Sequence, residues 1–132
     1  IVLDHVSMVI AGTETDNERK DIDKLYEAMT QICVETGVGI ISIIHLKRVA
    51  GKKLNKGDEV ELTDLRGSAG AEQMSFNVWA LERNQQGEDG EKDLSRIRVL
   101  KNRSLGFTGL ADTLKYNHQT GRLELFGIEE FG

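Results

Sequence analysis

The chain has 132 residues, which is the usual size of one domain. Because 39% of the residues are hydrophobic and 30% are charged, the composition fits a globular protein and argues against both low-complexity disorder and a membrane-resident class. The net charge of −5 at pH 7 argues against a protein that binds nucleic acid with its whole surface.

A strand, a helix and a second strand are predicted over the first third of the chain. Residues 1–3 form a short apolar run that is typical of a buried parallel strand. From Thr15, a capping-box spacing and apolar residues every three or four positions predict an amphipathic helix that ends at Gly37. The isoleucine-rich run 38–44 predicts the second strand. Together these elements predict a parallel βαβ unit, whose crossover is expected to be right-handed.

The remainder of the chain predicts a long loop, a short helix and several strands. An alternation of side chains in the strand at 94–100 predicts one charged face, with Arg96 and Arg98 exposed on it. In chain order, the further predictions are a loop at 46–62, a short helix within 67–75, a strand at 77–81, a surface turn at 84–93, and strands at 110–116 and 122–126 that flank a hairpin turn at 117–121. The predicted class is α/β, a parallel sheet with a flanking helix and an antiparallel C-terminal hairpin.

Two candidate functional residues follow the predicted parallel strands. Asp4 ends the first strand, and His45 ends the second. Open α/β folds bind ligands at the carboxyl edge of the sheet, so Asp4 could hold Mg²⁺ and His45 could donate a hydrogen bond to a phosphate there. The residues alone leave another interpretation open, in which Asp4 caps a loop and His45 bonds to loop carbonyls.

The loop after His45 is strongly basic. Residues 46–57 contain five basic side chains and no acidic one, within an acidic chain. These residues are Lys47, Arg48, Lys52, Lys53 and Lys56. A basic loop that leaves the same edge as a phosphate-binding site could contact an anionic polymer with strong salt dependence, whereas a solvated surface is the alternative.

Other basic and aromatic side chains lie near predicted strand ends. Arg83, Lys101 and Arg103 could clamp a phosphoryl group, and Tyr116 could stack on a base, although a partly buried structural tyrosine is the commoner case. The chain has no Gly-x-x-x-x-Gly-Lys-Ser/Thr phosphate loop. It therefore cannot cradle ATP phosphates by that route unaided.

The order of short motifs resembles the hexameric replicative DNA helicases, the family of bacterial DnaB and of the phage T7-type primase-helicase. The segment Ile-Val-Leu-Asp-His-Val-Ser at 1–7 is similar to the Walker B segment of that family. The other similar segments are 43–47, 64–68 with Gln73, 80–87, 98–103, Gly109, 115–117 and 120–121. The resemblance covers nearly the whole chain and implies a RecA-like P-loop ATPase core.

The resemblance implies roles for the residues around ATP, which in this family lies between adjacent subunits of a ring. Asp4 would bind Mg²⁺ through its water shell, and His45 would sense the γ-phosphate. Arg103 would be an arginine finger that reaches the neighbour's ATP, and Lys101 would assist it on the same strand.

The resemblance also implies contacts with the adenine and with DNA. Arg83 and Tyr116 would sandwich the adenine. The residues that would hold single-stranded DNA in the central channel are Lys47, Arg48, Lys52, Lys53, Arg66 and Gly67.

The chain departs from the family pattern in several places. The Walker A loop and the catalytic glutamate, which precede Walker B in the family, are not found here. Phe76 stands where many relatives carry an acidic residue, and Arg48 stands where the T7-type loop has a neutral one. Residues 1–132 are therefore expected to be the C-terminal part of a RecA-like helicase ATPase domain, from Walker B onward. The isolated chain is predicted to be inactive as an ATPase.

The expected function is the motor portion of an ATP-dependent DNA helicase from a phage or prophage. A non-catalytic single-strand-binding or oligomerisation module and a RecA-like recombination ATPase remain alternatives. The expected partners are single-stranded DNA and further copies in a hexameric ring, and the sequence leaves open whether a primase is fused or associated. The single cysteine, Cys33, excludes an internal disulfide and a Cys-cluster zinc site and fits the cytoplasm of a bacterium or an infected host.

Overall fold

The computed structural model describes residues 1–12, 17–66 and 69–127. The chain divides into two compact units. The first unit comprises Ile1–Arg48 and Thr63–Ser75, and the second comprises Val49–Leu62 and Phe76–Gly132. In the described part of the chain, no helix combines the length and the apolar character that crossing a membrane requires.

The first unit contains two short parallel strands and three helices. The elements are β1 (Val2–Leu3), α1 (Val6–Ile10), α2 (Glu18–Thr36), β2 (Ile41–Ser42) and α3 (Ala69–Met74). Strands β1 and β2 pair in parallel, as predicted, with Val2 opposite Ile41 and Leu3 opposite Ser42. Both strands are shorter than predicted. Helix α1 was missed because its five residues are too few to show a helical period.

Helix α2 is the main helix of the first unit. Its N-cap is Asn17, whose side chain accepts a hydrogen bond from the backbone N–H of Lys20. The predicted cap at Thr15 lies outside the described residues, and the helix begins later than that prediction required. Gly37 ends the helix in a left-handed conformation with φ 71°, and its N–H donates to the carbonyl of Cys33. The predicted glycine cap is confirmed.

The core of the first unit lies between these helices and the parallel strands. Its buried apolar side chains are Val6, Ile22, Tyr26, Met29 and Ala71. The hydroxyl of Tyr26 lies 3.2 Å from the hydroxyl of Ser42, which links α2 to β2. Burial raises the pKa of Tyr26 above its ordinary value. The packing holds the carboxyl ends of β1 and β2 against helix α2.

The second unit contains a four-stranded antiparallel sheet in the order β3-β4-β5-β6. Its strands are β3 (Asn77–Glu82), β4 (Leu94–Asn102), β5 (Gly109–Asn117) and β6 (Arg122–Leu125). Each corresponds to a predicted strand. The antiparallel region is larger than a hairpin, because β3 and β4 join the predicted hairpin β5-β6 in one sheet.

Candidate functional site

Asp4 and His45 follow the two parallel strands of the first unit, and both side chains are exposed. The backbone N–H of Ile43 donates to the carbonyl of Leu3, so the chain after β2 continues beside the chain after β1. The ring of His5 meets the ring of His45 edge-on, with centroids 4.3 Å apart. Asp4, through its neighbour His5, and His45 therefore lie at one edge of the strand pair, as the sequence predicted.

His5 is a residue that the sequence interpretation gave no role. Its Nδ1 atom is buried and has no hydrogen-bond partner among the residues that the structure describes. The imidazole also supports the exposed ring of His45 from the side. The available signal was its position directly after Asp4 in the same motif.

A second segment of the first unit returns to the chain after His45. Leu46 and Leu65 form an antiparallel bridge. The N–H of Arg66 donates to the carbonyl of His45, and the N–H of Lys47 donates to the carbonyl of Asp64, both at 2.8 Å. The bridge thus places His45 beside Lys47 and Arg66. Because it joins positions about 20 residues apart, no local sequence pattern predicts it.

The side chain of Arg66 is held by the start of helix α2. Its guanidinium lies 3.2 Å from the carboxylate of Glu18, and about half of each side chain is exposed. An exposed ion pair of this kind is weak and can exchange for another anion. Gly67, the other predicted DNA-binding residue of this segment, lies outside the described residues.

The basic loop divides between the two units. Lys47 and Arg48 belong to the first unit, whereas Lys52 and Lys53 belong to the second. Lys47, Arg48 and Lys53 are exposed, but the Lys52 side chain is only 24% exposed.

Acidic residues that follow the basic run fold back onto it. The ammonium group of Lys52 lies 3.1 Å from the carboxylate of Glu61. The backbone N–H of Lys53 donates to the carboxylate of Asp58 at 2.7 Å. The sequence window that contains no acid is therefore partly neutralised by residues just beyond it, and the basic loop is more structured than its composition suggests.

One end of the antiparallel sheet carries Lys101 and Arg103. Lys101 is half-buried and lies opposite Val78, at the end of β4. Arg103 is exposed, and its guanidinium carbon lies 4.9 Å from the centroid of the Phe76 ring. The N–H of Arg103 donates to the carbonyl of Phe76 at 2.9 Å. An exposed guanidinium at this end is compatible with contact to a neighbouring molecule.

The opposite end of the same sheet carries Arg83 and Tyr116. Arg83 is exposed, and its Nε donates to the carbonyl of Lys92 at 2.6 Å. The ring of Tyr116 meets the ring of His118 edge-on at 5.0 Å, and His118 lies 3.0 Å from the carboxylate of Asp93. Both residues lie at the end where β4 begins, because Glu82 pairs with Arg96 and Leu94 pairs with Lys115.

A buried carboxylate lies inside the second unit, where the sequence predicted an exposed charged face. The side chain of Glu82 is fully buried. One of its oxygens accepts from Arg98 Nε at 2.6 Å and from the N–H of Val60 at 2.9 Å. The hydrogen bond that Arg98 donates to Glu82 raises the pKa of Arg98 above its ordinary value. The predicted exposure of Arg98 is wrong, because its side chain is 14% exposed and pairs with Glu82.

The two arginines that approach this carboxylate, Arg96 and Arg98, also contact the basic loop. Arg98 also bonds to Glu59 at 2.8 Å, and Arg96 donates to the carbonyl of Gly57 while approaching Glu82. Gly57 has φ 87°, and a Cβ atom there would lie 3.0 Å from the Arg96 guanidinium. Glycine at this position therefore permits the close approach of the loop to the sheet.

In the part of the chain that the structure describes, the acidic and histidine side chains form no multidentate metal site. Among the described residues, no group of three or more His, Cys, Asp and Glu side chains could hold a metal ion together. Mg²⁺ commonly keeps several waters and uses one or two protein carboxylates. The exposed carboxylate of Asp4 fits that requirement, whereas a structural transition-metal site would need more ligands.

Comparison with known proteins defines the family. The family model for the DnaB-like helicase C terminal domain matches residues 1–124. The chain belongs to this family, and the resemblance inferred from its motifs is confirmed.

Among curated proteins, the chain is similar to the DNA helicase/primase of Enterobacteria phage T3. The two are 45% identical over 125 residues, which cover 94% of this chain and 22% of the phage T3 protein. The chain thus spans about a fifth of the length of this relative.

Two solved structures share the fold. One is described as an ATPase domain, with a TM-score of 0.70, 20% identity, and coverage of 87% of this chain and 40% of that chain. The other is described as a DnaB-like replicative helicase and its interactions with primase, with a TM-score of 0.70, 20% identity, and coverage of 86% and 27%. At this identity they show the fold alone, and the predicted RecA-like α/β class is confirmed.

Proposed function

We propose that this chain is part of the motor of an ATP-dependent replicative DNA helicase, which moves along single-stranded DNA as a ring. In this proposal, residues 1–132 form the C-terminal part of a RecA-like ATPase domain. The family supports the general class, and the phage T3 relative carries the name DNA helicase/primase. A hexamer of this chain is the proposed assembly, with a primase as a fused or associated partner, in the cytoplasm of a bacterium or an infected host.

Support comes above all from the bridge that joins the segments around His45 and Arg66. His45, the proposed γ-phosphate sensor, shares this bridge with Lys47 and Arg66, two proposed DNA contacts. Hydrogen bonds of 2.8 Å on both sides of the bridge connect the two segments directly. A change at the phosphate of a bound nucleotide can therefore alter the position of groups that hold DNA.

The residues at the parallel edge have separate proposed tasks. Asp4 would hold water molecules of a Mg²⁺ ion, and His45 would donate a hydrogen bond to the γ-phosphate. His5 would orient the imidazole of His45 through their edge-on contact. When bound, ATP and Mg²⁺ supply the phosphoryl group and neutralise its charge.

Residues of the antiparallel sheet would complete the nucleotide site of an adjacent subunit or bind the base. Arg103 would stabilise the charge of the transferred phosphoryl group, assisted by Lys101. Arg83 and Tyr116 would stack on the adenine from two sides. The exposure of Arg103 supports a contact with another subunit.

The DNA-binding role is proposed for basic side chains in several segments, together with one glycine. These residues are Lys47, Arg48, Lys52, Lys53, Arg66 and Gly67. Each Lys or Arg that neutralises a phosphate releases a counterion, so the affinity for single strands should fall steeply with salt. The net charge of −5 makes this contact local, because the rest of the surface would repel DNA.

The proposal is tested on the full-length protein that contains this chain. We expect DNA-stimulated ATP hydrolysis and strand displacement, and we expect Arg103→Ala to lower hydrolysis by about 10³- to 10⁵-fold, the range seen when an arginine finger is absent. Hexamers should still form, which native mass spectrometry can measure. Normal turnover by Arg103→Ala would exclude the finger role.

The same measurements separate the competing functions. DNA-stimulated hydrolysis without strand displacement would favour a recombination-type ATPase, and DNA binding without hydrolysis would favour a non-catalytic module. The purified 132-residue chain should not hydrolyse ATP, since it contains no phosphate loop. ATP hydrolysis by this chain alone would contradict the proposal that turnover requires a phosphate loop, which this chain does not contain.

A further inference from the structure

We propose that Phe76 is a positioning residue for Arg103, a platform that holds the guanidinium ready for the nucleotide of a neighbouring subunit. This inference rests on the proposed function, because it assumes that Arg103 acts on a phosphoryl group. It assigns a task to an aromatic side chain at a position where the family resemblance led us to expect an acidic one.

Backbone pairing places the two residues opposite each other. Asn77 pairs with Asn102 at the end of the β3-β4 ladder. The N–H of Arg103 donates to the carbonyl of Phe76 at 2.9 Å, which extends the pairing by one position. The Phe76 ring then lies under the guanidinium, 4.9 Å from its central carbon. The backbone hydrogen bond therefore holds Phe76 and Arg103 side by side, within reach of the ring contact.

A contact between an aromatic ring and the face of a guanidinium is compatible with anion binding. A ring attracts the face of the planar guanidinium, whereas the five N–H groups point outward in its plane. The in-plane directions are those that a phosphoryl group requires for bidentate contact. A ring that meets the face of a guanidinium can therefore restrict its rotamers and still leave the in-plane N–H groups to a phosphoryl group. A carboxylate at position 76 would instead compete with phosphate for those donors.

The exposure of both side chains makes the platform role separable from folding. Arg103 is exposed, and Phe76 remains 57% exposed despite the stack. Neither residue belongs to the buried core. A side chain that keeps most of its surface in water contributes little to folding, so its substitution should act mainly on Arg103.

The test uses the full-length helicase with Phe76→Leu, which keeps an apolar side chain and removes the aromatic face. Exposed cation–π contacts change an equilibrium by about two- to fivefold. We expect the kcat of DNA-stimulated hydrolysis to fall by about that factor, whereas the Kd for ATP and the melting temperature stay at their wild-type values. Phe76→Tyr and Phe76→Trp should keep a kcat close to that of the wild type, because each supplies a ring face.

Phe126→Leu is the matched control. Phe126 is 50% exposed and follows β6 in the same unit, so the change has the same chemistry and a similar exposure. This variant should keep the wild-type kcat. If Phe76→Leu does not assemble, Phe76→Met carries the same test with a more flexible apolar side chain.

The outcomes separate the platform from the finger itself. Wild-type kcat in Phe76→Leu, together with an inactive Arg103→Ala, would overturn the platform and leave the proposed function standing. An increase in kcat would also overturn it, because the ring would then restrain Arg103 from binding. Wild-type turnover in Arg103→Ala would instead remove the finger and the proposed function on which the platform rests.

Discussion

Asp4 and Glu82 are carboxylates at the ends of strands, yet their surroundings are opposite. Asp4 follows a parallel strand of the first unit and is exposed. Glu82 ends a strand of the antiparallel sheet, and its side chain is fully buried. Glu82 is satisfied within its own unit by Arg98 and by the N–H of Val60. The comparison separates a charge that maintains the structure from a charge that remains available to a ligand.

The physical reason is the cost of removing a charge from water. A buried carboxylate is stable only when paired groups replace its hydration. The contacts of Glu82 meet this condition. Together with hydrogen bonds from Arg96 and Arg98, the contact to Val60 also holds residues 57–60 of the basic loop against the sheet. Asp4 keeps its hydration, which a Mg²⁺ ion and its water shell can share. Burial therefore distinguishes the two roles better than residue type does.

The largest effect on stability is expected from Glu82→Ala. The substitution leaves Arg98 without its buried partner and Val60 N–H without its acceptor, which should destabilise the second unit by about 3–5 kcal/mol. Hydrogen exchange of the β3 and β4 amides in the full-length protein measures the loss. Glu88→Ala, at an exposed carboxylate, is the control and should leave exchange unchanged. Equal protection in both variants would contradict a structural role for Glu82.

At the edge of the parallel strands, in contrast to Glu82, a change of His45 should lower turnover and leave stability unchanged. Removing a preorganised donor to developing charge typically lowers turnover by about 10²- to 10³-fold, and His45→Ala should lower DNA-stimulated hydrolysis by that factor. Its melting temperature should remain at the wild-type value, because the side chain is exposed. His45→Gln retains an N–H donor and should recover part of the activity. A large loss of stability without loss of turnover would reverse the assignment.

A smaller effect is expected from the basic loop. Replacing Lys47, Lys52 and Lys53 by Ala should reduce the salt dependence of single-strand binding, with the log–log slope falling by up to about 2, since each single-strand phosphate contact contributes about 0.7. Fluorescence anisotropy at several salt concentrations measures the slope. Among single variants, Lys53→Ala should have more effect than Lys52→Ala, because Lys52 already pairs with Glu61.

A charge-matched variant distinguishes phosphate contact from a general change in net charge. Arg19, Lys20 and Lys24 are exposed on helix α2, and their replacement by Ala removes the same charge. This control should weaken binding slightly and leave the slope near its wild-type value. The same slope change in both variants would mean that the loop lysines are ordinary solvated charge.

The smallest effect is expected at the N-terminus of α2. Asn17→Ala removes the side-chain acceptor of the Lys20 N–H and should destabilise the start of the helix by about 1 kcal/mol. Hydrogen exchange of the first turn of α2 measures this change. Asn17→Ser keeps a capping oxygen and should stay close to the wild type. Unchanged hydrogen exchange in Asn17→Ala would mean that the Asn17 side chain does not stabilise the start of α2.

Much of the fold follows from local sequence patterns. The three- and four-residue spacing predicted α2, and Gly37 predicted its end. Strands were predicted at the positions of β3, β4, β5 and β6, by alternating side chains for β4 and by turn residues for the β5-β6 hairpin, although only that hairpin was predicted to be antiparallel. The motifs also identified the family and placed Asp4 and His45 at one edge. These features are accessible because each depends on residues that are close in the chain or on the rule that parallel strands share an edge.

The contacts that give the site its geometry were not accessible in this way. The ring contact of His5 with His45, the hydrogen bond from Arg66 to His45 and the stack of Arg103 on Phe76 each join residues about 20 to 40 positions apart. The alternation around Arg98 correctly indicated a strand but not which face was covered. That face is covered by the loop at 57–60, which has no periodicity.

The sequence by itself therefore determined the element types, the shared edge and the family, because periodicity and motif order are properties of the chain. The tertiary structure alone decided which charges are buried and which side chains meet. The burial of Glu82 and the exposure of Asp4 depend on packing between distant segments, where the cost of desolvation selects only the arrangements that pair every buried charge.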